Sequence, residues 1–336
     1  MLANSFNSAL CLFRCLYKVK QQGLYQKQRT KVWIILVALW VINGSSFLAI
    51  KISIDTIPPL LSSGVRFLIA GSVLYSIFLV RERRNKNEEH IGWRQWKDTI
   101  ILAALLLLGG QGLLTWGTQY IASGISGLLN STIPLWVAIL ALLILKNRMT
   151  KFMIIGLAAG FTGLMLLVAP SLGSGELSPI GTSALIISSI FWALGSLYST
   201  KANLPVSMLA SSGMLMITGG LITTAISFAL GEYRGLEVSD ISGQSLAALI
   251  YLIVIITIVG FTDFYWLLRV TTASLANTFA YVSPVIAVIL GALLLHEPVT
   301  IITVIAMSII LVGVALMVTT TGKGKQEKTV DKEIQK

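Results

Sequence analysis

The chain has 336 residues, of which 55% are hydrophobic and 12% charged, and its mean hydropathy is +0.83. A soluble globular protein has no use for so much apolar surface, so the composition excludes that class and indicates a membrane protein. The formal net charge of +11 would suit a nucleic-acid-binding protein. The placement of the basic residues along the chain argues against that class as well.

The chain divides into ten apolar runs, each long enough for a helix that crosses a bilayer core of about 30 Å. Helices are predicted because unpaired backbone groups cannot face lipid and because the alternation typical of barrel strands is missing. The predicted fold class is an all-α integral membrane protein with ten transmembrane helices. Their approximate bounds are 32–50, 58–80, 98–117, 121–145, 152–170, 179–199, 206–230, 244–267, 271–294 and 298–319.

The basic residues gather on one side of the predicted bundle. With the N-terminus in the cytoplasm, 22 of the 25 Lys and Arg residues fall on the cytoplasmic side, and the exceptions are Lys51, Arg66 and Arg234. Basic loops mark the cytoplasmic side of membrane proteins, so both termini are predicted to be cytoplasmic. We expect anionic membrane lipids as partners of this side, and no nucleic acid.

The two ends of the chain differ from the membrane part. Residues 1–31 form a predicted cytoplasmic extension that holds both cysteines, Cys11 and Cys15, so no disulfide framework is expected. Arg14 interrupts its apolar stretch and no small-residue cleavage site follows, which argues against a signal peptide. Residues 320–336 are polar and are predicted to be a disordered cytoplasmic tail.

An internal repeat divides the membrane part into two five-helix units, predicted at 32–170 and 171–319. The stretch NSTIPLWVAILALLILKNRMT at 130–150 aligns without a gap to AYVSPVIAVILGALLLHEPVT at 280–300. The same offset of 150 positions pairs further residues that match rarely by chance, namely Pro134 with Pro284, Trp116 with Trp266 and Gly163 with Gly313.

A five-helix unit crosses the membrane an odd number of times, so the second copy enters from the opposite side. The charges agree, because Lys146 and Arg148 end the first copy on the cytoplasmic side, whereas His296 and Glu297 hold the matching places outside. Inverted repeats are typical of secondary transporters, whose two halves exchange inward-open and outward-open shapes around a midplane site. The repeat therefore predicts a secondary transporter.

Two prolines, Pro134 and Pro284, are predicted well inside helices, and they are the repeat-matched pair. Each removes a backbone hydrogen bond and weakens the hold on the carbonyls of Asn130 and Ala280. Both are candidate hinges, and a static kink that improves packing is the alternative.

Four stretches carry a resemblance to a known family, namely NGSSFLAIK (43–51), PPLLSSGVRFLIAG (58–71), FWALGSLYS (191–199) and LLLHEPVT (293–300). They resemble the EamA family of the drug/metabolite transporter superfamily, and the resemblance covers roughly 32–318. It implies a plasma-membrane (inner-membrane) carrier of small metabolites, often amino acids or related compounds, and commonly an exporter. It also implies a central cavity lined mainly by spans one, three, four, six, eight and nine.

The sequence departs from this family at three places. Asn43 replaces the tryptophan that often precedes Gly44, and Lys146-Asn147 replaces the Gly-Glu expected at the end of span four. Asp263 lies where a small or apolar residue is expected. These changes leave the fold prediction intact and weaken any inference about the substrate.

Charged residues inside the predicted spans are candidates for the substrate cavity. Asp263 is the only carboxylate in the interior of a predicted span, where a charge costs about 2.5–3.5 kcal/mol on insertion scales. It suits proton coupling or a substrate ammonium group, with local pairing near Arg269 as the alternative. Arg66, in span two, suits a substrate carboxylate, with a role in holding neighbouring carbonyls or in snorkelling as the alternative.

The other cavity candidates carry hydroxyl, amide or phenol groups. Asparagine is expensive in mid-membrane, and two of them precede the matched prolines by one to two turns. For the two serines, helix packing is the alternative explanation. The set is Ser45, Ser46, Asn130, Tyr198, Asn277 and Tyr281.

No catalytic residue, cofactor or metal site is predicted, since His90 and His296 fall on opposite sides of the membrane. An integral-membrane enzyme would need carboxylates or histidines clustered at one interface. The sequence therefore favours an exporter of a small metabolite that works by alternating access. A multidrug/proton antiporter is the alternative within transport, and a non-transport integral-membrane protein is the alternative outside it. Proton coupling and homodimer formation are left open.

Overall fold

The computed structural model describes residues 30–85, 91–145, 151–168, 178–199, 201–234, 236–260, 263, 267, 279–313 and 315–316. Within these ranges, six helices are long and apolar enough to cross a membrane, and four further apolar helices are shorter. The prediction of an all-helical membrane protein is confirmed. In chain order the helices are α1 (Thr30–Ser53), α2 (Pro59–Asn85), α3 (Trp93–Thr118), α4 (two segments, Ser123–Asn130 and Ile133–Leu145), α5 (Lys151–Val168), α6 (Pro179–Ser199), α7 (Met208–Ala229), α8 (Gly243–Val259), α9 (Phe279–Leu294) and α10 (Ile301–Gly313).

A turn at Ser131 and Thr132 interrupts α4, which was predicted as one continuous helix. The two hydroxyls donate back to the carbonyls of Leu128 and Leu129 at 2.7 and 2.6 Å, so the side chains help to end the first segment. Pro134 is consequently in the first turn of the second segment, where its missing N–H costs little. Pro134 was expected in the interior of a helix. Of the two repeat-matched prolines, the structure shows Pro284 inside a helix, α9, and Pro134 near a helix start.

Helices α2 and α7 are in backbone contact along their length and run antiparallel. A Cβ on Gly71 would lie 2.6 Å from the backbone nitrogen of Ile217 and 3.0 Å from the carbonyl of Gly213. A Cβ on Gly220 would lie 2.9 Å from the carbonyl of Gly64. Lipid provides no hydrophobic force that drives helices together, so close approach at small residues supplies the packing energy.

Helices α5 and α10 make a contact of the same form. A Cβ on Gly163 would lie 2.9 Å from the carbonyl of Ala306, and one on Gly313 would lie 2.7 Å from the carbonyl of Gly156. The earlier glycine of α5 meets the later glycine of α10, so these two helices are also antiparallel. Gly156 and Gly160, which form a GxxxG pattern in α5, therefore belong to a packing surface.

The helix starts recur along the chain at a nearly constant offset. Four pairs begin 149 or 150 residues apart, namely α1 with α6, α2 with α7, α3 with α8 and α5 with α10. Shifted by 149, Gly64 falls on Gly213 and Gly71 on Gly220, so the two glycine contacts between α2 and α7 are one contact seen from each helix. The contacts between α5 and α10 are reciprocal in the same way at an offset of 150.

We expect Gly220→Ala to lower the melting temperature of the detergent-purified protein, because the new methyl would lie 2.6 Å from the backbone nitrogen of Leu68. Overpacking of this kind costs about 1–3 kcal/mol. Each kcal/mol shifts the melting temperature of a large domain by about 2–4 °C. Gly243→Ala is the matched control, since a Cβ there meets nothing within 4 Å. Equal melting of the two variants would contradict the close packing of α2 on α7.

Candidate functional site

The guanidinium of Arg66 is buried between α2 and α8. Arg66 is the eighth residue of α2, about two turns from its start, and its side chain is only 7% exposed. Its Nε donates a hydrogen bond of 2.8 Å to Oγ1 of Thr257, and its Cζ lies 4.9 Å from the ring centroid of Phe67. Among the residues that the structure describes, no carboxylate is paired with this guanidinium. A buried cation therefore lies in the membrane part with a single hydroxyl as its described acceptor.

Thr257 belongs to a π-helical segment, Leu252–Val259, in which its hydroxyl donates to the carbonyl of Leu252 at 2.8 Å. That donation leaves the oxygen lone pairs free to accept from Arg66. Helix α3 has a π-helical segment as well, Ala104–Gly112, and the two segments overlap at the repeat offset of 150. Irregular turns of this kind are frequent at functional sites.

Ser45 of α1 lies against α8. Ser45 Oγ is 2.8 Å from the hydroxyl of Tyr251, and it also donates to the carbonyl of Ile42 at 2.9 Å. Ser46 Oγ donates within its own helix, to the carbonyl of Asn43 at 2.6 Å. The glycine that precedes the serines serves packing, since a Cβ on Gly44 would reach Ile286 of α9.

Tyr198 lies at an end of the bundle, one residue before α6 ends. Its hydroxyl donates to Oδ1 of Asp98 at 2.8 Å. The other oxygen of Asp98 accepts from the backbone and side-chain nitrogens of Asn203 at 2.7 and 2.8 Å. This contact joins α6 and the α6–α7 linker to the start of α3, so Tyr198 and Arg66 are not brought into one cluster.

The remaining cavity candidates are Asn130, Asp263, Asn277 and Tyr281. Asn130 is partly buried and ends the first segment of α4. Asp263 is helical and partly buried, six residues beyond Thr257. Asn277 and the side chain of Tyr281 lie outside the described residues, so their roles stay predictions.

Sequence reasoning missed Glu297, which holds the start of α4 although it lies 174 residues away in the linker between α9 and α10. Its carboxylate accepts from Ser123 N at 2.6 Å, from Ser123 Oγ at 3.0 Å and from Gly124 N at 3.1 Å. Helix α4 begins after Ala122, which offers no side-chain cap, so the carboxylate satisfies donors at the positive end of the helix. The signal available in the sequence was Ala122 at the start of α4, since alanine cannot cap a helix and an acceptor from elsewhere is then expected.

Glu232 holds the start of α2 in the same manner. Its carboxylate accepts from Leu60 N at 3.1 Å, from Leu61 N at 3.2 Å and from Ser227 Oγ at 2.8 Å. Since Glu232 follows α7, this contact fixes the end of α7 to the beginning of α2.

Lys51 and the α1–α2 linker complete the same end of the bundle, which we name the Glu297 end. Lys51 Nζ donates to the carbonyl of Thr118, the last residue of α3, at 2.8 Å, and to those of Gln119 and Ile121 in the α3–α4 linker at 3.1 and 3.0 Å. The start of α8 is bonded to the α1–α2 linker through Ser242 N to Thr56 Oγ1 at 3.1 Å, and to the end of α1 through Ser245 Oγ to the carbonyl of Ile52 at 2.8 Å.

Comparison with known proteins identifies the family. The model of the EamA-like transporter family matches residues 30–169 and 179–319. The uncharacterized inner membrane transporter YedA of Escherichia coli (strain K12) is 32% identical over 290 residues, which cover 86% of this chain and 90% of YedA. The uncharacterized transporter YoaV of Bacillus subtilis (strain 168) is 26% identical over 297 residues, covering 88% of this chain and 99% of its own.

A solved crystal structure of another protein has the same fold, with a TM-score of 0.57 and a sequence identity of 17%. The match covers 85% of this chain and 96% of the chain in that structure. The resemblance found in the sequence is confirmed, and the helices agree with a multi-pass membrane protein. The chain belongs to the EamA-like transporter family, whose model it matches twice.

Proposed function

We propose that the protein is a secondary transporter of the plasma (inner) membrane that exports a small metabolite, an amino acid or related compound, by alternating access. The observation that carries this proposal is the reciprocal, antiparallel packing of α2 on α7 and of α5 on α10. Each pair joins corresponding helices of the two segments that match the family model.

The form of these contacts supports an inverted repeat. When two antiparallel helices make reciprocal contacts, a two-fold axis perpendicular to both exchanges them. For helices that cross a bilayer, such an axis lies in the membrane plane, which is the symmetry of inverted-topology transporters. Two such halves can exchange their conformations, and the exchange opens a midplane site alternately to either side.

The Glu297 end supplies a gate for this cycle. Its contacts by Glu232 and Glu297, like those between the α1–α2 linker and α8, join one family-matched segment to the other. Opening that end requires these bonds to break, whereas the contact of Lys51 with the end of α3 and the α3–α4 linker lies within the first segment. The distribution of basic residues favours a location of the Glu297 end outside the cell, and the bonded form of that end would then be the closed outer gate.

The first experiment compares metabolites in the medium of cells that produce the wild type or the double variant Asn130→Leu/Asn277→Leu at equal membrane levels. We expect at least one compound to accumulate outside cells that produce the wild type. Its external level should be about tenfold lower with the variant, because leucine cannot form a hydrogen bond with a polar ligand. Gln119→Leu, at an exposed position, is the control. Identical media from wild-type and empty cells would contradict export.

Loss of the Glu297 carboxylate should open the outer gate. Val288 is buried directly below the first turn of α4, where a Cβ on Gly124 would lie 3.0 Å from its Cα. In a background without Cys11 and Cys15, we expect Glu297→Gln to raise the labelling rate of a cysteine at position 288 by a membrane-impermeant maleimide several-fold. Glu237→Gln, at an exposed linker position, is the control. An unchanged rate would remove Glu297 from the gate.

Asp263→Asn distinguishes a proton antiporter, the alternative mechanism, from an uncoupled carrier. An amide cannot carry a proton, so a carrier coupled through Asp263 should lose concentrative transport and keep downhill exchange. The measurement is transport into proteoliposomes with and without an imposed pH gradient, with Asp240→Asn, at an exposed position, as the control. Concentrative transport that survives in the variant would exclude Asp263 from coupling.

A further inference from the structure

We propose that Arg66 binds a carboxylate of the transported compound, an inference that rests on the proposed transport function. It assigns the substrate class as small molecules that carry a carboxylate. The observations are the burial of Arg66, the single described acceptor of its guanidinium, and an unpartnered hydroxyl on the same face of α2.

The guanidinium carries five N–H donors, and within the described residues only the Nε–H has an acceptor, Oγ1 of Thr257. The donors on the two Nη atoms are left for other groups. A charge removed from water without an acid partner is costly, and an anion that enters the site would offset that cost. Arg66 thus has the charge of an anion site and, with respect to the described residues, donors that no acceptor occupies.

The geometry of Arg66 favours a planar, two-oxygen ligand. Because Nε is engaged by Thr257, the edge formed by the two Nη atoms is the one that a ligand can use. That edge matches the two oxygens of a carboxylate in a bidentate pair. The ring of Phe67, 4.9 Å from Cζ, and the fixed hydroxyl of Thr257 together restrict rotation of the guanidinium.

Ser63 adds a second polar group on the same side of α2. Residues three apart lie on one face of a helix, so Ser63 precedes Arg66 by about one turn on that face. Its side chain is 2% exposed, and its Oγ has no hydrogen-bond partner in the described part of the chain. A hydroxyl so placed can donate to a ligand that the guanidinium holds.

This inference separates the two transport alternatives. A buried guanidinium repels cations and gains nothing from neutral lipophilic compounds, which are the usual substrates of a multidrug antiporter. It attracts the carboxylate of an amino acid or another organic acid.

The variant test measures export from cells that produce the wild type, Arg66→Gln, Arg66→Lys or the control Arg81→Gln, which changes an exposed arginine of the same helix. The readout is every compound whose external level rises with the wild type relative to cells without the protein. We expect these compounds to carry a carboxylate, and we expect Arg66→Gln to reduce their export at least tenfold, with partial recovery in Arg66→Lys. Equal melting temperatures and size-exclusion profiles identify variants that remain folded.

A second test needs no variant. In proteoliposomes of the wild type, transport of each labelled exported compound is measured with an unlabelled competitor. The competitor is either the same compound or its carboxamide analogue, which differs only in the carboxylate. We expect the acid to compete and the amide to compete at least tenfold more weakly.

Each contrary outcome has a distinct meaning. Export of compounds without a carboxylate, wild-type export by Arg66→Gln, or equal competition by the carboxamides would overturn the carboxylate site while the transport function stands. No change in any external compound would overturn the proposed export itself, and the carboxylate site with it.

Discussion

The close contact of α2 with α7 is the constraint on which the rest of the bundle depends. Inside a bilayer, lipid is as apolar as leucine, so two helices associate only where their backbones come near enough for dense packing. Four glycines allow this approach, namely Gly64, Gly71, Gly213 and Gly220. Their contacts are reciprocal, since Gly71 meets Gly213 as Gly220 meets Gly64. Each helix belongs to a different family-matched segment, so this contact fixes how the two halves lie together.

Polar groups are treated differently at the end of the bundle and in its interior. At the Glu297 end, backbone donors at the starts of α2 and α4 meet carboxylates from the opposite segment, and each carboxylate accepts from three donor groups. In the interior, Arg66 has one acceptor in the described part of the chain. Carboxylates with several donors suit a gate that must close, whereas a buried charge with one described acceptor suits a ligand.

Helix α8 links the parts that a transport cycle would move. It contacts α1 through Tyr251 and Ser245, and α2 through Thr257, and the residue before its first turn, Ser242, is bonded to the α1–α2 linker. A ligand at Arg66 would therefore act on the helix whose first turn is bonded to the gate. The π-helical segment of α8 begins directly after Tyr251 and contains Thr257, and turns of this kind are frequent at functional sites.

The sequence by itself determined the helices, their approximate bounds, the internal offset and the family, because hydropathy and residue spacing are local properties that a chain carries in any fold. It also singled out Arg66, since a charge within an apolar run is visible without any structure. Only the tertiary structure decided that Glu297 caps α4, that Ser45 meets Tyr251 and that Tyr198 belongs to an end contact with Asp98. The position of Pro134 after a turn, which the sequence placed inside a helix, likewise followed from hydroxyl-to-carbonyl bonds at Ser131 and Thr132. The physical reason is that most of these partners are brought together by packing from 100 to 206 residues apart, a distance across which no sequence pattern specifies which donor meets which acceptor.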